Sequence, residues 1–288
     1  MKKGDANMYP KNMKVKYGTE TEIIKMSKTK IANLFVIDVQ FEDKIVPLVY
    51  DTGASITVIS NSVSKLIDAI PTDDSIIGGG NANIRTSLTK NYISSCQIGK
   101  ALIENILVAV VPDESLDFGV DESGNSLAVS GFLGWDILQH FKWTIDSQNK
   151  TFTIRKPANL ANQGNLDWDN MPIIKAELDN KQIFFGFDTG NTESMFSHNF
   201  IPFLKTKQVK ADAITGVDGV VEEEVFVAEN IELNIGNEVI RLNNTSVLQR
   251  DIFPTKKYQV MGLLAADIIQ NCRCIIDYAG RSFEIIKD

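Results

Sequence analysis

The sequence predicts an all-β fold of two similar closed lobes, related by a pseudo-two-fold axis with a cleft between them. Three observations carry this. The apolar run Val46-Pro47-Leu48-Val49-Tyr50 ends in Asp51-Thr52-Gly53-Ala54-Ser55, and the pattern returns as Ile183-Phe184-Phe185-Gly186-Phe187 before Asp188-Thr189-Gly190-Asn191-Thr192. From Asp51 to Asp188 is 137 residues, and the same offset pairs Leu34 with Met171, Glu42-Asp43-Lys44 with Asp179-Asn180-Lys181, Ser60 with Ser197, and Ile98-Gly99 with Ile235-Gly236. Near the end of each half the offset becomes 131, and Gly131-Phe132-Leu133-Gly134-Trp135-Asp136 matches Gly262-Leu263-Leu264-Ala265-Ala266-Asp267. The chain is a duplicated unit, with six extra residues in the first copy between about Val111 and Gly131.

Residues 1–30, with eight Lys against three acids, read as an N-terminal arm or edge strand. Residues 31–156 form the first lobe, 157–170 a polar linker and 171–288 the second lobe. Within the first copy, Ile31 to Val39 alternates, Glu42-Asp43 turns, and Ile45 to Tyr50 runs into the first Asp turn, so a hairpin feeds that loop. Ile56 to Ile59 is β-branched, and Asn61-Ser62 supplies an N-cap for a short helix through Leu66. Ile77-Gly78-Gly79-Gly80 is a hairpin tip, and the repeat sets Thr215-Gly216-Val217-Asp218-Gly219 opposite it. No Lys-Ser/Thr follows these glycines, which argues against a phosphate cradle. Ile103 to Val111 is a strand. The longer first-copy loop holds Asp113, Glu114, Asp117, Asp121 and Glu122 and reads as solvated; were it to line the cleft, basic substrate residues would be favoured. Gly131 to His140 is an apolar strand that breaks at Gly134 into a helical turn.

Composition narrows the function. A net charge of −8 disfavours a nucleic-acid partner, because binding a phosphate backbone needs a basic surface. No apolar run approaches the 18 or so residues of a membrane span. Nothing in the chain as written directs export, which predicts a cytoplasmic protein; a trimmed signal segment would make it exported or periplasmic. The three cysteines, Cys96, Cys272 and Cys274, read as reduced core residues. His140 and His198 lack ligand spacing, so no metal is expected, and neither is placed for a serine or cysteine triad.

If the two copies pack about a two-fold axis, Asp51 and Asp188 face each other. Two carboxylates sharing a site cannot both ionise cheaply, so one serves as base and the other as acid, which suits hydrolysis by a shared water. Thr52 and Thr189 can bond across the axis, while Gly53 and Gly190 let backbone amides approach the carboxylates.

At these residues the chain resembles the aspartic peptidases, the superfamily of the retroviral and pepsin-like enzymes. Both Asp-Thr-Gly motifs match, as do Phe132-Leu133-Gly134 and Leu263-Leu264-Ala265, over about residues 31–288. The resemblance implies an aspartic endopeptidase with acid-protease lobes, a peptide or protein substrate, catalytic Asp51 and Asp188, and no cofactor. It also implies glycine-rich flaps at 77–84 and 214–221. Ala265 departs from the usual glycine, and the two short lobes look like a fused retroviral-type dimer. One chain carrying both Asp turns predicts a monomer. The alternative is a non-catalytic peptide-binding or sensing module that keeps the fold.

Pepsin-like enzymes usually place a hydroxyl after Asp-Thr-Gly, which donates to the carboxylate and favours its charge. Here Ala54 has no side-chain donor and Asn191 has an amide, so Asp188 is expected to ionise more readily and the pair to be less acidic. A pH–rate profile should peak nearer neutral than strongly acid pH. An optimum below about 3.5, under the free Asp value of roughly 3.9, would contradict this.

Overall fold

The computed structural model describes residues 12–80, 86–157, 164–216 and 219–287. Residues 1–11 of the arm, 81–84 of the first flap, 158–163 of the linker, and Val217 and Asp218 of the second tip lie outside them.

Alternating burial along Val36–Phe41 and the buried end of Lys44–Tyr50 follow from their alternating apolar residues, and the two strands pair antiparallel as the expected hairpin. They lie in an eight-stranded sheet that also holds Val58–Ser60, Ile70–Gly78, Thr86–Ile98, Ala101–Val111 and Gly131–Leu133. The last of these runs parallel to the hairpin, with Tyr50 opposite Leu133, and so lies beside the strand that delivers Asp51. An extra pairing between Thr86–Ile98 and Ala101–Val111 folds the sheet back on itself, which leaves fewer open edges.

The second copy repeats the design in a ten-stranded sheet. Pro172–Leu178 and Lys181–Asp188 form its hairpin, and Val260–Ala265 runs parallel to the second with Asp188 opposite Ala265. Ala265 is fully buried and accommodated. In the first lobe a Cβ on Gly134 would stand 2.6 Å from the Ile56 carbonyl carbon, so the departure from glycine is tolerated on one side only.

A five-stranded sheet joins the lobes. Lys142–Asp146 from the first copy pairs antiparallel with Arg273–Asp277 from the second, and Thr144 stands opposite Ile275. Those two residues are equivalent in the repeat, so the local two-fold passes between them. Trp143, Ile145, Phe152, Cys274, Ile276 and Phe283 are buried beneath it in one core continuous through both lobes.

Sequence and structure differ in two places. The helix Asn61–Leu66 is capped by Ser60, not by Asn61 or Ser62, because the Ser60 hydroxyl accepts the Val63 N–H at 3.1 Å. Ser197 caps the equivalent turn by accepting from Asn199. Within the segment read as a linker, Leu166–Trp168 is a strand against Pro172–Leu178, since Leu166 buries its side chain. Of the arm, Lys14–Lys16 edges the first-lobe sheet and Thr21–Lys25 edges the joining sheet.

Candidate active site

The second strand of each hairpin delivers its Asp turn to the floor of the cleft. Asp51 Oδ1 accepts the N–H groups of Gly53 at 2.8 Å and Ala54 at 3.0 Å. Asp188 Oδ1 accepts from Gly190 at 2.9 Å, and its Oδ2 accepts the Asn191 side-chain amide at 2.8 Å. The two turns interlock. Thr52 N–H donates to Thr189 Oγ1 at 3.1 Å and Thr189 N–H to Thr52 Oγ1 at 3.0 Å, while the hydroxyls donate onward to the carbonyls of Phe187 and Tyr50. Both threonines are fully buried.

That interlock brings the carboxylates together. A Cβ on Gly53 would fall 2.3 Å from Asp188 Cγ, and one on Gly190 would fall 2.5 Å from Asp51 Cγ. Only glycine lets each turn pass the other's carboxylate so closely. Asp51 and Asp188 are within hydrogen-bonding reach of each other. Burial raises Asp51 well above the ordinary carboxylate range, and the charge of Asp188 raises it further. Burial raises Asp188 too, but hydrogen bonds from Asp51 and from the Gly190 and Asn191 amides pull it back. Both carboxyls are thus held above the ordinary range, and the Asn191 side-chain amide bonds Asp188 where Ala54 has no side-chain donor for Asp51.

The cleft above them is about 380 Å³. Ile77, Gly78, Gly79 and Gly80 from one hairpin tip and Thr215 and Gly216 from the other line it, together with Asp51, Asp188, Gly53, Gly190 and Asn191. Gly219 stands directly opposite Gly216 in the second hairpin. The remaining walls are mostly apolar, with Val58, Leu88, Val111, Phe118 and Phe132 on the first lobe and Met171, Ile252, Phe253, Pro254 and Leu263 on the second, beside the polar Ser55 and Asn170. Phe118 is what the acidic loop contributes. None of its acids lines the cleft, and three are engaged elsewhere: Asp113 accepts from Ser62, Asp117 from Gly119, and Asp121 from Ser123 and Asn125. The loop's acids stay outside the cleft, whereas its Leu116 is fully buried and its Phe118 faces the cleft, so the basic-residue preference loses its basis.

A second pair of carboxylates braces the turns, and sequence reading assigned it no role. Asp136 Oδ1 accepts the N–H and hydroxyl of Thr57, both at 2.8 Å, and Thr57 Oγ1 accepts Gly134 N–H. In the second lobe Asp267 does the same for Ser194, whose hydroxyl accepts Ala265 N–H. Thr57 and Ser194 are 137 apart and both hydroxylic, a repeat match that could have revealed them. Asp136 Oδ2 is buried without a hydrogen-bond partner among the described residues, and burial pushes this carboxyl up to about 7.

The geometry agrees with known proteins. Residues 37–140 match the family model for gag-polyprotein putative aspartyl protease. The solved structure of an aspartic proteinase from Irpex lacteus superposes with a TM-score of 0.54 at 13% identity, covering 93% of this chain and 97% of that one. No curated protein sequence matches.

Asp136 makes stability depend on pH. Between the free Asp value of about 3.9 and about 7, the folded chain holds a proton the unfolded chain lacks, so stability falls as pH rises, by at most about 1.4 kcal/mol per unit. Asp136→Asn keeps an oxygen for Thr57 and abolishes this titration. In denaturant unfolding at pH 5 and pH 8, the variant should gain on wild type at the higher pH; parallel losses in both proteins would contradict the assignment.

Proposed function

We propose that this chain is an aspartic-type endopeptidase in which Asp51 and Asp188 share a nucleophilic water, a reading supported by the family match over residues 37–140 and by the fold. The observation that supports it most is the close approach of two carboxylates, buried Asp51 and half-buried Asp188, one on each lobe, at the floor of an open cleft. Two acids in contact retain one proton between them where lone Asp residues would have lost both, which supplies a base and an acid together. Aspartic proteases as a class share this pH behaviour.

The proton inventory closes over one cycle. Ionised Asp188 removes a proton from the water as its oxygen attacks the scissile carbonyl carbon, and Asp51 gives its proton to the carbonyl oxygen. The product is a neutral tetrahedral diol. On collapse, Asp188 passes its proton to the departing nitrogen, the C–N bond breaks, and Asp51 recovers a proton from the diol hydroxyl. The carboxylates end as they began, and no covalent intermediate forms.

The cleft suits an extended peptide carrying apolar side chains beside the scissile bond, because both walls are mostly apolar. Both hairpin tips would close over it, their glycines allowing the backbones to approach. One chain supplies both acids, which favours a working monomer. Among the described residues, no helix is long and apolar enough to cross a membrane.

Peptide-library cleavage by wild type, Asp51→Asn and Asp188→Asn tests the proposal. Each substitution should lower kcat by at least about 10³-fold, as expected for loss of an acid–base partner, with peptide binding retained. Activity surviving either substitution would require another mechanism, and an inert wild type that still binds peptides would select the binding-module reading.

A further inference from the structure

We infer that Asp169 is a positioning residue that sets the second-lobe wall of the cleft and thereby its preference for large apolar side chains; this rests on the peptide-binding reading of the cleft above. Asp169 is only 5% exposed, although it is a charged residue in a polar stretch. A single oxygen, Oδ2, accepts three successive backbone N–H groups, from Lys256 at 2.7 Å, Lys257 at 2.6 Å and Tyr258 at 3.3 Å. Three amides converging on one carboxylate oxygen form an anion-binding nest, and the loop that makes them is fixed by the charge it surrounds.

The neighbouring residue extends the clamp. Asn170, in the left-handed region at φ 65°, donates its side-chain amide to the Pro254 carbonyl at 2.7 Å. Thr255 closes the loop on itself through the Tyr258 carbonyl. Ile252, Phe253 and Pro254 of this loop line the cleft, as do Asn170 and Met171 beside the clamp. Asp169 itself does not line it, so its influence passes through the loop.

The clamp is asymmetric. Shifted back by 137, Asn170 finds Asn33, also in the left-handed region at φ 66°, but Asp169 finds Ala32. The first lobe has no carboxylate there, and its counterpart loop differs in length. The second-lobe wall is therefore held by a charge that has no counterpart at the equivalent position of the first lobe. Burial opposes ionisation of Asp169, but the three amides outweigh it and hold the carboxyl below its usual range, so the clamp stays charged as the dyad titrates.

The test uses the full chain and two hexapeptides with a reduced, uncleavable central bond, identical except for Phe or Ala at the flanking position where wild type discriminates most. Asp169→Ala should lose about tenfold in affinity for the Phe peptide, the scale of a misplaced binding wall, and stay within about twofold for the Ala peptide. Asp169→Asn keeps one acceptor oxygen and should fall between, which separates loss of the clamp from loss of the fold. Amide hydrogen exchange at residues 256–258 should accelerate in Asp169→Ala. Equal weakening of both peptides, an unchanged Phe preference, or unaltered exchange would overturn the inference. Cleavage is not measured, so a chain that binds peptides without hydrolysing them would refute the endopeptidase proposal and leave this one standing.

Discussion

The reciprocal bonding of Thr52 and Thr189 is the constraint from which the rest of the site follows. Each threonine uses its backbone N–H and its hydroxyl across the local two-fold, so the two turns are joined by four bonds with no water between them. Because both residues are fully buried, losing any of these would strand a polar group away from solvent at a cost of about 1–3 kcal/mol. The interlock sets the approach of the turns, and the approach sets the contact of the carboxylates. Glycine at 53 and 190 is what makes that approach possible.

Holding two carboxylates together under cover opposes stability, and the surrounding chain offsets this locally. Backbone amides bond each Asp from its own turn, and the half-buried Asp136 and Asp267 brace the hydroxyls of Thr57 and Ser194 that hold those turns against the parallel strands. Beneath them the joining sheet passes the two-fold through Thr144 and Ile275, which ties the orientation of the lobes to that of the turns. The site is thus the end of a symmetric scaffold, with asymmetry added by side chains: Ala54 against Asn191, Gly134 against Ala265, and Asp169 against Ala32.

Much of this was legible because duplication writes the same physical requirement twice. A lone Asp-Thr-Gly is an ordinary turn, whereas its recurrence after a buried strand and before a matching glycine element predicts both the hairpins and the meeting of Asp51 with Asp188. The Ser60 cap was missed because three polar residues in a row all suit a cap and only backbone geometry chooses among them. The strand Leu166–Trp168 was hidden by its polar surroundings, with one buried leucine as its signal. Asp169 could not be read at all, because its partners are backbone amides almost ninety residues away, and backbone groups leave no mark in sequence.

The central claim is that Asp51 and Asp188 hold one proton in common. Carbon-13 NMR titration of the two side-chain carboxyls in the intact protein measures this most directly. The account predicts a coupled titration, with Asp188 ionising first and Asp51 keeping its proton well above the free Asp value of about 3.9. Two independent transitions near that value would contradict it.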